Sequence, residues 1–258
     1  MADAPRPDPV VRRITARDVA EAFISGLRDF QAAPLFGLFF GGLYTLAGLT
    51  ILLCLTRFGM SYLAYPLAAC FALIGPFAAV GLYEVSRRRE LGIPLSWGGV
   101  LGVVLAQRNR ELGWMALVTL FVTIMWLYQV RLLLALFLGF QSFASFSGFL
   151  NVLVTTPEGL MFLAVGHVVG AVLAAALFSL TVVSFPLLLD REVDFITAMI
   201  TSVRAVATNP LPMLGFAVVI VALSVVAILP AFLGLVVVMP ILGHATWHLY
   251  RKLVAPVP

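Results

Sequence analysis

Residues 211–250 read LPMLGFAVVIVALSVVAILPAFLGLVVVMPILGHATWHLY, a stretch without a single Asp, Glu, Lys or Arg. Pro230 divides it into two apolar runs, about 211–229 and 231–250, each close to the roughly 20 residues a helix needs to cross a bilayer. A proline inside a helix removes one backbone hydrogen bond and clashes with the carbonyl four residues back. The stretch therefore reads as a tight helical hairpin rather than one long helix. Worked back toward the start, the same reasoning finds four more segments, at about 33–56, 62–83, 113–137 and 159–189. The fold class that follows is all-α, a polytopic membrane helix bundle of six spans.

Composition points the same way. Of the 258 residues 62% are hydrophobic and 11% charged, and the mean hydropathy is +1.08. A soluble domain is roughly 45–50% apolar and about 25% charged, so no polar surface could cover this much apolar side chain. Lipid has to be the solvent. The first long apolar run begins near Ala33, too late for a cleaved leader, and polar sequence after Arg12 and Arg13 weakens a twin-arginine export reading. Cys54 and Cys70 both lie within apolar runs and form no CxxC pair, which leaves them as packing residues.

Basic residues set the direction. Arg6, Arg12, Arg13, Arg17 and Arg28 precede the first span, and Arg87, Arg88, Arg89, Arg108 and Arg110 lie between the second and third. Arg191 and Arg204 follow the fourth; Arg251 and Lys252 follow the sixth. These are alternate loops, and only Arg57 and Arg131 fall elsewhere. The positive-inside rule makes all of them cytoplasmic, with both chain ends on that side. A pI of 9.4 is thereby explained by orientation and anionic headgroups, without nucleic acid. The expected location is the bacterial inner (plasma) membrane.

A unit also recurs. Val19, Phe23, Leu27 and Phe30 make one apolar stripe after Thr15 and Asp18, a helix start; Phe195, Met199, Val203 and Val206 make another. A less amphipathic candidate covers about 96–112. Arg28, Arg108 and Arg204 are each followed six residues later by Pro34, Trp114 and Pro210, where the chain turns into lipid. The second helix of each hairpin holds a proline, Pro76, Pro186 or Pro240. The expectation is three repeats, each an interfacial amphipathic helix plus a transmembrane hairpin. The parts are a flexible cytoplasmic tail at 1–14, then units at 15–90, 91–190 (with an outer Phe-rich loop) and 191–258.

The candidate positions are few. His244 and His248, four residues apart, share one helical face and could hold a metal, or serve as polar anchors beside Tyr250, Arg251 and Lys252. His167, inside the fourth span, is a ligand candidate by its depth or a hydrogen-bonding partner of a neighbouring helix. Gly166 and Gly170, like Gly37 and Gly41, fit small-residue helix packing. Arg131 in the third span must snorkel outward, pair with Glu158, or meet a substrate. Asp190, Arg191 and Asp194, with Arg204, read as a helix start or as a surface for headgroups or a cytoplasmic partner. Phe143 and Phe146 belong to the outer loop at about 139–158, which rests on lipid or docks another membrane protein.

Asp190-Arg191-Glu192-Val193-Asp194-Phe195, Thr201-Ser202-Val203-Arg204-Ala205 and Asn209-Pro210 resemble an uncharacterised bacterial integral-membrane family, domain of unknown function 2189. The stretch Leu242-Gly243-His244-Ala245-Thr246-Trp247-His248-Leu249-Tyr250-Arg251 is the most specific part of the resemblance. It implies a polytopic inner-membrane protein and supplies no activity, cofactor or catalytic residue.

No nucleophile–base pair, phosphate-binding glycine loop or soluble catalytic domain is present in the sequence. The expectation is a non-enzymatic accessory, assembly or scaffold subunit of a larger membrane complex, without cofactor or metal, contacting membrane lipid and a membrane-protein partner or a second copy. A small-molecule or lipid transporter is the alternative. A histidine-ligated cofactor or metal-binding protein is a third reading.

Overall fold

The computed structural model describes residues 9–57, 64–107, 111–139 and 146–256. Three short helices each lead into longer ones. The first, α1 (Ala16–Ala32), precedes α2 (Pro34–Thr56) and α3 (Ala64–Glu90). The second, α4 (Trp97–Gln107), precedes α5 (Glu111–Leu138), α6 (Phe146–Thr155), α7 (Pro157–Thr181) and α8 (Ser184–Asp190). The third, α9 (Phe195–Thr208), precedes α10 (Pro210–Ile228) and α11 (Leu235–Leu253). The fold is all-helical. Among the described residues four helical segments are long and apolar enough to cross a membrane: Pro34–Cys54, Glu111–Leu138, Pro157–Asp190 and Pro210–Ile228. α3 and α11, expected as the second and sixth spans, are not in that set. Their last turns carry Arg87, Arg88 and Arg89, and Arg251 and Lys252.

Local chemistry explains the helix ends. Thr15 and Asp18 form the expected reciprocal cap on α1, with Thr15 N–H donating to Asp18 at 2.8 Å and Asp18 N–H to the Thr15 hydroxyl at 3.3 Å. α2, α7 and α10 each start on a proline, whose missing N–H has no helical partner at that position anyway. The break between α7 and α8 falls at Val182 and Val183, because Pro186 cannot bond back to the carbonyl four residues earlier. At the break the Val183 N–H donates to the buried Ser202 hydroxyl of α9, at 3.1 Å.

The short helices pack through small residues. In α1 the buried face is Val19, Ala22, Gly26 and Asp29, which lies on α11. A Cβ on Gly26 would stand 2.6 Å from the Ala245 nitrogen, so only glycine permits this approach. Of the expected apolar stripe, Val19 is buried, Phe23 and Phe30 are half-buried and Leu27 is exposed, as is Ile24. α9 repeats the pattern. Ala198, Thr201, Ser202 and Ala205 are buried, while Ile196, Ile200 and Val203 are exposed. Large side chains would hold each helix off its neighbour, and small ones let the backbones meet.

α2 approaches α11 in the same way. A Cβ on Gly41 would stand 2.4 Å from the Val236 carbonyl oxygen and 2.8 Å from the Pro240 ring. That carbonyl is the one Pro240 deprives of its helical donor. The α10–α11 turn holds Ala231 and Phe232 at φ 52 and 67, a region that L residues adopt at a cost of about 1–3 kcal/mol. Phe232 offsets it by packing onto Gly48, where any Cβ would overlap its ring at 2.5 Å. Gly166 and Gly170 of α7 differ, because nothing lies within 4 Å of where their side chains would be. The packing role expected for that pair is not filled.

The chain ends meet. Arg12 N–H donates to the Leu253 carbonyl at 2.7 Å and Ala255 N–H to the Val10 carbonyl at 2.9 Å, forming an isolated antiparallel bridge between Val11 and Val254. Asn209, 3% exposed, clamps the same segment by accepting from Ile14 N–H at 2.8 Å and donating to the Arg12 carbonyl at 3.0 Å. Of the tail expected at 1–14, residues 1–8 lie outside the described residues, and the remainder is tied down.

These contacts predict opposite outcomes for two glycine substitutions. Gly41→Val drives a branched side chain into backbone and should destabilise by about 1–3 kcal/mol, read as a lower Tm in detergent. Gly166→Ala enters open space and should leave Tm unchanged; a loss comparable to that of Gly41→Val would contradict the packing described.

Candidate functional site

Ionisable side chains gather where the ends of α3, α8 and α11 meet, with α1 lying against α3 and α11. Asp29 of α1 is 6% exposed and accepts from Arg89 Nε and from His248 Nε2, each at 2.7 Å. Burial by itself would raise the Asp29 carboxyl; hydrogen bonds from His248, Ser86 and Arg89 outweigh it and hold the group at about 2. The Ser86 hydroxyl lies 2.8 Å from Nδ1 of His244 and hydrogen-bonds with it. Nε2 of this fully buried histidine has no hydrogen-bond partner among the described residues.

Two further acids complete the cluster. Asp190 accepts from the Tyr250 hydroxyl at 2.6 Å and from Arg251 at 3.3 Å, with Arg87 at 3.9 Å. Glu90 accepts from Trp247 Nε1 at 3.1 Å and from Arg251 Nε at 2.9 Å. Within α3, the buried Glu84 holds Arg88 at 2.6 Å and Arg87 at 3.2 Å. Lys252 reaches Asp18 at 3.1 Å and Glu21 at 2.8 Å across α1. The Thr15 backbone N–H, the Thr15 hydroxyl and Lys252 together hold the Asp18 carboxyl at about 2. The charges cross-link helices far apart in sequence.

The expected site residues are distributed as follows. His244 and His248 stand on one helix face as the spacing implied but do not share a ligand: one is bound to Ser86, the other to Asp29. Among the described residues no group of three or more His, Cys, Asp or Glu is placed to hold a metal. Arg191 donates to the Ala255 carbonyl. Asp194 caps α9, accepting from Thr197 N–H at 2.8 Å and from the Thr197 hydroxyl at 2.6 Å, and these bonds lower its carboxyl below the usual range. Arg204 is exposed. Arg131 is also exposed, and no ion pair joins it to Glu158 among the described residues. Phe146 begins α6, while Phe143, like Arg108, lies outside the described residues. Asp29, Ser86, Glu84 and Glu90 escaped the sequence reading; a buried acid on the face of α1 opposite Leu27 was the available signal.

His167 lies elsewhere, on the wall of a cavity of about 700 Å³ between α5 and α7, with Val221 of α10 closing one side. Val122, Thr123, Trp126, Gln129 and Val130 line it from α5, and Phe162, Leu163, Gly166, His167 and Gly170 from α7. His167 Nδ1 lies 2.6 Å from the Leu163 carbonyl oxygen.

With this geometry in view, the comparison with known families is informative. Residues 64–190 match a family described as predicted integral membrane protein, DUF2189. Over those residues, just under half of the chain, the sequence is similar to the DUF2189 family. The matched stretch runs from α3 to α8 and holds both long walls of the cavity and the α3 and α8 sides of the ion-pair cluster. It meets the 190–251 segment that carried the sequence resemblance only at Asp190. No curated protein and no solved structure matches the chain.

Asp29 is the group whose loss should be most visible. Its carboxyl is lowered in the fold, so its contribution to stability is present above the ordinary carboxylate range and fades as pH falls from about 4 toward 2. Asp29→Ala leaves Arg89 and His248 unpaired and should cost about 3 kcal/mol at pH 7. The gap in Tm between variant and parent should narrow as the pH drops below 4. A gap independent of pH would show that the ion pairs do not hold the bundle.

Proposed function

We propose that the chain crosses the bacterial inner membrane six times with both ends in the cytoplasm, and acts by binding, as a non-enzymatic accessory or scaffold component of a membrane complex. α3 and α11 supply the two further spans. At 1.5 Å per residue α3 is roughly 40 Å long, more than a hydrocarbon core of about 30 Å, and α11 at roughly 28 Å falls just short of it, the α10–α11 turn making up the rest; their basic turns lie at the cytoplasmic face.

Three repeated units account for the packing. Each short helix rests on the second hairpin helix of the preceding unit: α4 on α3, α9 on α7 and α8, and α1 on α11, which closes the ring. The burial patterns of α1 and α9 superpose at an offset of 176 residues, pairing buried Ala22 with Ala198, Gly26 with Ser202 and Asp29 with Ala205, and exposed Ile24 with Ile200 and Leu27 with Val203. The exposed apolar faces of α1 and α9, beside Arg28 and Arg204, suit a helix lying among anionic headgroups.

The observation carrying the functional reading is that the acids, arginines and histidines of the cytoplasmic cluster are one another's partners. Groups so engaged hold helices together, and among the described residues of the cluster the histidine nitrogen without a partner, Nε2 of His244, is fully buried. Purification from native membranes in mild detergent should yield a stoichiometric membrane-protein partner, and cysteines introduced at Arg28 and Arg204 should react only with reagents added from the cytoplasmic side. A protein that purifies alone, or labelling from outside, removes this reading. The cavity between α5 and α7 favours a second reading, a carrier of a small lipid-soluble molecule.

A further inference from the structure

The middle of the bundle is packed unevenly. On α2, Gly41, Thr45 and Gly48 are buried against α11 and the α10–α11 turn, and Phe40 and Tyr44 against α3. No residue of α5 between positions 117 and 132 is buried, nor any of α10 between 217 and 226, and on α7 only Gly159 is. The glycines that would let α7 close on a neighbour meet nothing within 4 Å. Space that small residues close elsewhere is left open here, and a volume of about 700 Å³ falls within the roughly 300–1,000 Å³ of small-molecule sites.

Its polar groups are few and level with one another. His167 lies ten residues into α7 and Gln129 nine residues before the end of α5, so both stand about 14 Å from the outer helix ends, near the bilayer midplane. The Nδ1–H of His167 donates to the Leu163 carbonyl, which in the uncharged ring leaves Nε2 as an acceptor. Gln129 makes no hydrogen bond among the described residues, so its amide keeps both donors and acceptor. Trp126 and Phe162 flank them with aromatic surface. The lining residues include no Asp, Glu, Lys or Arg, so a charged head would be unpaired in hydrocarbon.

Building on the carrier reading, we propose that this cavity binds a neutral lipid with a hydroxyl-bearing aromatic head and an apolar tail. The hydroxyl donates to His167 Nε2, Gln129 donates to its oxygen, the ring rests on Trp126 and Phe162, and the tail runs along α7. A phospholipid is a poor fit, because its headgroup belongs about 15 Å away at the interface.

Two probes of matched body test this, 4-dodecylphenol and dodecylbenzene, titrated calorimetrically into the full-length protein in detergent with empty micelles subtracted. The phenol should bind saturably and at least tenfold tighter than dodecylbenzene. His167→Leu and Gln129→Leu should each erase most of that preference without lowering Tm, since neither side chain is buried in the fold. Val221→Trp, which fills the cavity from α10, should weaken both probes. Equal affinity for the two probes, a preference that survives both leucine variants, or displacement of the phenol by phosphatidylglycerol would overturn the proposal. Flux of the phenol across proteoliposomes is a separate readout: binding without flux removes the carrier reading and leaves the site standing.

Discussion

A hydrocarbon solvent leaves a charge no weak option, since an ionised group inside it must find a counter-ion or reach the interface. This chain answers by collecting ionisable groups where α3, α8 and α11 converge and α1 lies against α3 and α11. Asp29, Asp190 and Glu90 each bind side chains from other helices, so the cluster sets the relative heights of the helix ends. The apolar segments beyond it are then free to vary in how closely they pack. Tight seams at Gly26 and Gly41 and an open cavity beside Gly166 coexist in one bundle.

Prolines make that arrangement possible. Pro186 divides a 34-residue apolar stretch into α7 and α8, and at the break between them the Val183 N–H donates to Ser202. Pro240 frees the Val236 carbonyl at the point where Gly41 comes closest. In both places a defect in one helix is the site at which another helix attaches. The missing backbone bond thus becomes part of the interhelical contact.

Much of this was legible in the residues, and the remainder was hidden for identifiable reasons. Helix positions follow from apolar runs and prolines, which act locally, and the Thr15–Asp18 cap needed only a spacing of three. The buried faces of α1 and α9 went unread, because the stripe of large residues reports the outward face, while small residues such as Ala22 and Gly26 mark the protein contact. Asp29 pairs with His248 across 219 positions, a distance that no local pattern reports. The glycines at 166 and 170 carry the same spacing as those at 37 and 41. Only the partner helix distinguishes them: α11 lies against one pair and empty volume beside the other.

The ring of contacts also has a direction in time. α1 is synthesised before α11, on which it rests. Its Ala22 and Gly26 face therefore stays without that partner until α11 has been made. Closure through Val11, Asn209 and Val254 can follow only then. Chains truncated before α11 would lack that latch, and an unlatched Val11 segment would distinguish them from chains that carry it.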